Sequence, residues 1–272
     1  MKRRRLFCTI SPLTYQISMQ KEILKRKFKD LSSSEKFAFE KQKEPLPVRI
    51  YLHESLIRRK LGDVDMTLQE NKAVNLSIAA PKIDGILIRP GQTFSFWRLV
   101  GKVSEKYGYK QGLTIANGKP DSDIGGGMCQ FTNLIHYLIL HSQLVITEHH
   151  HHDGVDLFPD FGRVIPFGTG TSIMYNYLDY RFKNETEHSF QLLVHTDEEY
   201  LWGELRSDVR SPFTYHIHAE DEFFSNEDDV VYRNNKIYRD TIDVRSGNKV
   251  LCELIKSNHA RVLYSTENLT IR

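Results

Sequence analysis

An α+β fold is predicted for this chain of 272 residues, with helices concentrated in the first half and strands dominating after residue 145. Three observations carry that prediction. Apolar residues recur at helical spacing in 15–43, 67–80 and 128–141. Short β-favouring runs bounded by turn residues repeat from 163 to 206 and again from 213 to 271. The junction between the two regimes is "DSDIGGGMCQFTNL", 121–134, where three glycines lead into the most strongly apolar helix pattern. The expected architecture is a helical N-terminal region followed by a strand-rich mixed or antiparallel sheet domain, with the Gly-Gly-Gly-Met-Cys helix packed against the sheet.

In the first segment Ile17, Ile23, Leu24, Phe28 and Leu31 lie among basic residues, and "SSSEKFAFEKQ" offers an N-cap serine followed by good helix formers. Residues 1–43 hold twelve Lys or Arg against four acids, a surplus of eight. This basic arm ends at "PLPV", 45–48, and suits either a solvated surface or peripheral contact with an anionic membrane. In 67–80, Leu68, Val74, Leu76 and Ile78 are the expected buried residues. "DGILIRPGQTFSFWRLVG" then reads as β runs around a Pro90–Gly91 turn. In 128–141 the buried face is Leu134, Ile135, Leu138 and Ile139, and "SQLVITEHHHH" follows as turn, strand and strand end. "RSDVRSPF", 206–213, marks a boundary, giving three expected regions: 1–48, 49–207 and a small β-rich 208–272.

Composition narrows the function. The net charge of +2 gives no reason to expect nucleic acid as a partner. Three sparse cysteines, Cys8, Cys129 and Cys252, fit a reducing compartment rather than a disulfide framework. The basic start "RRRLFCTISPLTYQI" lacks the apolar centre of a signal peptide, and no stretch reaches the length of a membrane-spanning helix, so a cytoplasmic, membrane-peripheral location is expected.

The chemistry gathers around Cys129. A helix N-terminus favours a thiolate and lowers its pKa, and its amides can hold an oxyanion if the preceding backbone allows close approach. Gly125, Gly126 and Gly127 would allow it, with Gln130 beside them. His150 and His152 lie at the end of the strand that returns from this helix, where either can act as base to Cys129. The same set, Cys129, His150 and His152, suits zinc, the one cofactor these residues suggest. Against both readings, Cys129 can be a small packed residue, the glycines a tight connection and the histidines an exposed polar edge.

Four stretches in order, "RPGQTFSFWRLVG" (89–101), "GYKQGLTIANGK" (108–119), "GGGMCQFTNL" (125–134) and "YNYLDYRFKN" (175–184), resemble the VanW family. The resemblance covers roughly 65–205 and implies a link to glycopeptide resistance and a cell-wall-related small molecule or glycan as ligand. It places the family's H-x-H element on His150 and His152 and the central motif on Gly125, Gly126, Gly127, Cys129 and Gln130. Where the family tends to carry an aspartate before its last shared strand this chain has Gly170, leaving Asp179 as the nearer third member of a triad. Three functions follow from this set. The chain acts on or binds a wall ligand, or it cleaves or transfers with Cys129 and His150 or His152, or it cleaves glycan with an acid such as Glu148, Asp153 or Asp179. A non-catalytic module binding a carboxylate or phosphate on the glycine loop is the further alternative.

Overall fold

The structure, a computed structural model, describes residues 6–59, 65–116, 119–151, 154–160 and 164–272. Helix α1 (Pro12–Ser32) opens with a capping box in which Ser11 and Thr14 exchange hydrogen bonds, and with proline at its first position. The helix expected to continue beyond Ser33 does not form. Residues 36–41 are extended instead: β1 (Lys36–Phe37) runs alongside the later strand at Gln92–Thr93, and Lys41 bridges Ile86. Helix propensity in "SSSEKFAFEKQ" loses to tertiary strand pairing, which satisfies the same backbone groups and buries Ala38.

Strand β2 (Val48–Leu56) leads to α2 (Met66–Ile83), β3 (Ile86–Ile88), β4 (Gln92–Ser95) and the short α3 (Phe96–Val100). The hairpin β5 (Gln111–Ala116) and β6 (Lys119–Ile124) delivers the chain to α4 (Met128–Leu140), followed by β7 (Val145–Glu148) and β8 (Val155–Asp156). After β9 (Arg181–Lys183) the long antiparallel strands begin: β10 (Phe190–Thr196), β11 (Tyr200–Ser207), β12 (Phe213–Glu227), β13 (Val230–Asp243) and β14 (Lys249–Val262). The α+β expectation holds. The described part of the 163–180 stretch, expected to be strand-rich, is turns and isolated bridges.

The central sheet has the order β2-β11-β10-β3, antiparallel throughout, and α2 and α4 pack on it. Helix α4 presses so closely on β11 that a side chain at Gly203 would lie 2.8 Å from Leu134. All four residues expected to form its buried face are at most 1% exposed. Beside this lies the mixed sheet β1-β4-β9-β7, and β12-β13-β14 extend as a separate antiparallel sheet joined by β8. The α2 face is rotated from its expected position. Gln69, Lys72, Asn75, Leu76, Ala79, Ala80 and Ile83 are buried, while Leu68, Val74 and Ile78 are half-buried. Three charged or amide residues, Gln69, Lys72 and Asn75, therefore lie on the helix's inner face. No helix among the described residues is long and apolar enough to cross a membrane.

Candidate functional site

The glycine triplet has a steric cause. Gly125 and Gly127 have φ of +82° and +109°, the left-handed region that costs an L-residue roughly 1–2 kcal/mol. Gly126 faces the backbone of β5: a side chain there would meet the carbonyl carbon of Gly112 at 2.2 Å. Asn75 of α2 locks the approach. Its side-chain amide donates to the carbonyls of Lys110 and Gly126, each at 2.9 Å, and its oxygen accepts the Lys110 N–H at 2.7 Å. A polar side chain buried completely is tolerable because these three bonds satisfy it. Gly127 is the N-cap of α4 and brings no side-chain cap of its own. Gln130 faces away, donating to Ser55 Oγ at 2.9 Å and to the Leu56 carbonyl at 2.8 Å, which ties β2 to α4.

Cys129 occupies the first turn of α4, half-buried against the main core. Burial pushes its thiol upward, and a backbone hydrogen bond from Ile173 opposes this without reversing it. The sequence expects a thiol lowered by the helix end; burial acts on Cys129 in the opposite direction. Ser172 N–H donates to the His150 carbonyl at 2.7 Å and the next amide, of Ile173, serves Cys129, so this short segment ties the histidine run to the start of α4. The His150 ring turns to Glu148, with Nε2 at 3.0 Å from Oε1. His152, and with it the full Cys129–His150–His152 zinc set, lies outside the described residues, as does Asp153. Among the described residues no three His, Cys, Asp or Glu side chains converge as metal ligands.

The structure places Asp179 and Glu148 in an ion network rather than beside the thiol. The buried Asp179 carboxylate accepts from Ser95 Oγ at 2.5 Å, from Trp97 N–H at 3.1 Å, where it caps α3, and from Arg181 Nε at 2.8 Å. Its burial pushes the pKa up against the Arg181 charge. Arg181 forks onto Asp30 of α1 with two bonds of 2.8 Å. Burial would also raise Glu148, but hydrogen bonds from Arg26, His150 and the Asp179 amide hold it below its ordinary value. These groups dock α1 on the domain; each acid is already committed to a cation or to backbone donors.

The sequence reading missed a second histidine assembly. His136, one face of α4 along from Cys129, is 1% exposed and lies 3.0 Å from the Tyr180 hydroxyl. The His149 ring stacks between it and His151, at centroid distances of 4.1 and 3.9 Å. Both His149 and His151 contact the carbonyl of Gly170, where the family's aspartate would stand. Desolvation, followed by the neighbouring His151, lowers His149 to about 3, and burial lowers His136 likewise. His136 and His149 are thus held in the neutral form. A cleft of roughly 300 Å³ opens elsewhere, between Tyr137 and the β12–β13 sheet, but its acids Asp160 and Glu222 are both tied to Arg233.

Fold and site together define an α+β domain organised around a glycine turn that feeds helix α4. Residues 71–206 match the family described as VanW like protein. Over 200 residues the chain is 35% identical to the vancomycin B-type resistance protein VanW of Enterococcus faecalis (strain ATCC 700802 / V583), spanning 74% of this chain and 72% of that protein. It is 27% identical over 119 residues to the uncharacterized protein YoaR of Bacillus subtilis (strain 168), spanning 43% of this chain and 36% of that one. No solved structure matches the chain. The chain belongs to the VanW-like family.

Proposed function

We propose that this protein contributes to glycopeptide resistance and that it does so by binding a cell-wall-related ligand at the glycine turn and the start of α4, not by cleaving a bond with Cys129. The observation that carries the resistance role is the 35% identity over 200 residues to a vancomycin resistance protein. Binding is favoured over thiol chemistry because a nucleophile needs a lowered pKa and a base within reach. Here burial raises the thiol, which packs against the core, and the hydrogen bond the His150 ring makes is to Glu148. Glycan cleavage by Asp179 or Glu148 has similarly little support, since both carboxylates are spent on Arg181 and Arg26. The test is vancomycin susceptibility of a resistant host with and without this chain. Removal should lower the inhibitory concentration, and an unchanged value would overturn the resistance role.

A second reading, peripheral attachment to an anionic membrane, rests on α1. Leu13, Ile17, Leu24, Phe28 and Leu31 share one helical stripe, and all are exposed, Leu31 by 81%. The opposite face is the one that docks, through Arg26 and Asp30. Lys21, Lys25, Lys27 and Lys29 accompany the apolar stripe, which gives the arrangement of an interfacial helix on anionic lipid. Vesicles containing phosphatidylglycerol should bind the chain and release it as salt rises, while Phe28→Ser with Leu24→Ser should abolish binding. No binding, or concentration-dependent self-association through the same stripe instead, would reject the membrane role.

A further inference from the structure

Where α2 passes the start of α4, it buries chemistry that packing does not require. Asn75 sits at Gly126, and one turn earlier the stem of Lys72 lies directly on Gly127, so close that a side chain there would meet Cγ at 2.4 Å. Lys72 is only 6% exposed, and among the described residues no carboxylate pairs with it. One turn earlier again, Gln69 is fully buried and its Oε1 accepts the Arg59 N–H at 3.4 Å. That acceptor role fixes the amide's orientation and leaves Nε2 as a buried donor with no partner. The 13-residue helix α4 adds its N-terminal dipole, and no side chain among the described residues accepts the amide of Met128. The Lys72 ammonium, the Gln69 Nε2 and the Met128 amide are donors for which no acceptor is found among the described residues.

We propose that Lys72, the Gln69 amide and the Met128 amide at the start of α4 form a binding site for an oxyanion, a carboxylate or phosphate group carried by the ligand of this domain. A helix N-terminus favours such a group through its dipole and N–H donors, and a buried ammonium is stabilised by a counter-ion that no described residue supplies. Burial, then the nearby Arg59 and Arg58 charges, lowers Lys72 to about 7, so an arriving anion gains by recharging it. The glycine turn serves this arrangement sterically. It lets Lys72 lie against the N-cap, where any larger residue would displace it.

The inference deepens the ligand-binding reading but is measured without reference to resistance. The full chain in low-chloride buffer is titrated with inorganic phosphate and, separately, with acetate. The amide resonances of 127–130 and the ¹³Cε resonance of Lys72 report binding. Saturable shifts at those amides are expected, with the Lys72 titration midpoint moving up by one unit or more as the anion stabilises the ammonium. Lys72→Met keeps the aliphatic stem on Gly127 and should weaken binding at least tenfold. Shifts with phosphate alone assign a phosphate-bearing ligand, and shifts with acetate alone a carboxylate. No saturable shift with either anion, or binding undiminished in Lys72→Met, overturns the site. If that variant fails to fold, the Lys72 titration of the unaltered chain decides by itself. Absence of anion binding beside a genuine loss of resistance on removing the chain would refute this site and leave the proposed function standing.

Discussion

Acidification from pH 7.5 to pH 5 should strip this protein of a large part of its stability, through histidines buried in the neutral form. In the folded chain desolvation lowers His149 to about 3 and His141 to about 4, against an ordinary value of 6.5, and His136 is lowered in the same sense. The sign follows from linkage. Below 6.5 the unfolded chain binds protons that the folded chain refuses, so the stability present above 6.5 falls as pH drops toward the folded values. At pH 5 each such histidine forfeits about 2 kcal/mol, because 1.5 units at 1.36 kcal/mol per unit is close to the full linkage term. His149 and His141 together give about 4 kcal/mol, and His136 adds to it. Asp179, raised by burial, acts in the opposite direction and trims the total. Against the ~5–15 kcal/mol typical of a domain, this is a large fraction. Urea unfolding at the two pH values measures it. His149→Phe, which keeps an aromatic ring against His136 and His151, should remove roughly 2 kcal/mol of the pH dependence. A midpoint unchanged between pH 7.5 and 5, or a variant with the full dependence, would refute the claim that the histidines are held neutral.

Gly126→Ala should cost about 3 kcal/mol or more, the upper end for overpacking, because the clash at 2.2 Å is with the backbone of β5 and no side chain can move aside. Gly247→Ala, at positive φ with open space around it, should cost only about 1 kcal/mol, and the two are compared by thermal unfolding. Asp179→Ala should destabilise by about 3–5 kcal/mol, since it leaves Arg181 buried with Asp30 as its main partner and strips the Trp97 amide of its acceptor. Urea titration of that variant with a loss under 1 kcal/mol would show that the network contributes little.

Much of the fold was legible because periodicity reports burial. The apolar spacing of Leu134, Ile135, Leu138 and Ile139 marks α4, and alternation marks β10 and β11. The error at 33–43 was one of competition: a locally helical stretch was captured by pairing with β4, a partner some fifty residues on that propensity cannot see. The glycine triplet was read correctly as demanding an explanation, but its steric cause, Gly112, lies in another element. For Cys129 the sequence shows the helix end, which favours a thiolate, but not the burial that opposes it. Lys72 and Gln69 were missed by default assignment of polar residues to the solvent side. Yet their spacing from Leu76, Ala79 and Ile83 places them on the same face, and that signal was available. Asp30, more than a hundred residues before Arg181, gave no sequence sign of its pairing.

The account stands most directly on Cys129 being a packed thiol beside a binding site. The decisive measurement is the pH dependence of its alkylation in a chain carrying Cys8→Ser and Cys252→Ser, compared with the same chain in denaturant. The pH midpoint rather than the absolute rate is read, so that slow access to a half-buried sulfur does not mimic the result. The midpoint in the folded chain should lie above that of the unfolded chain, as desolvation requires. A folded midpoint below the unfolded one, with rapid modification near neutral pH, would contradict the account and restore Cys129 as a nucleophile.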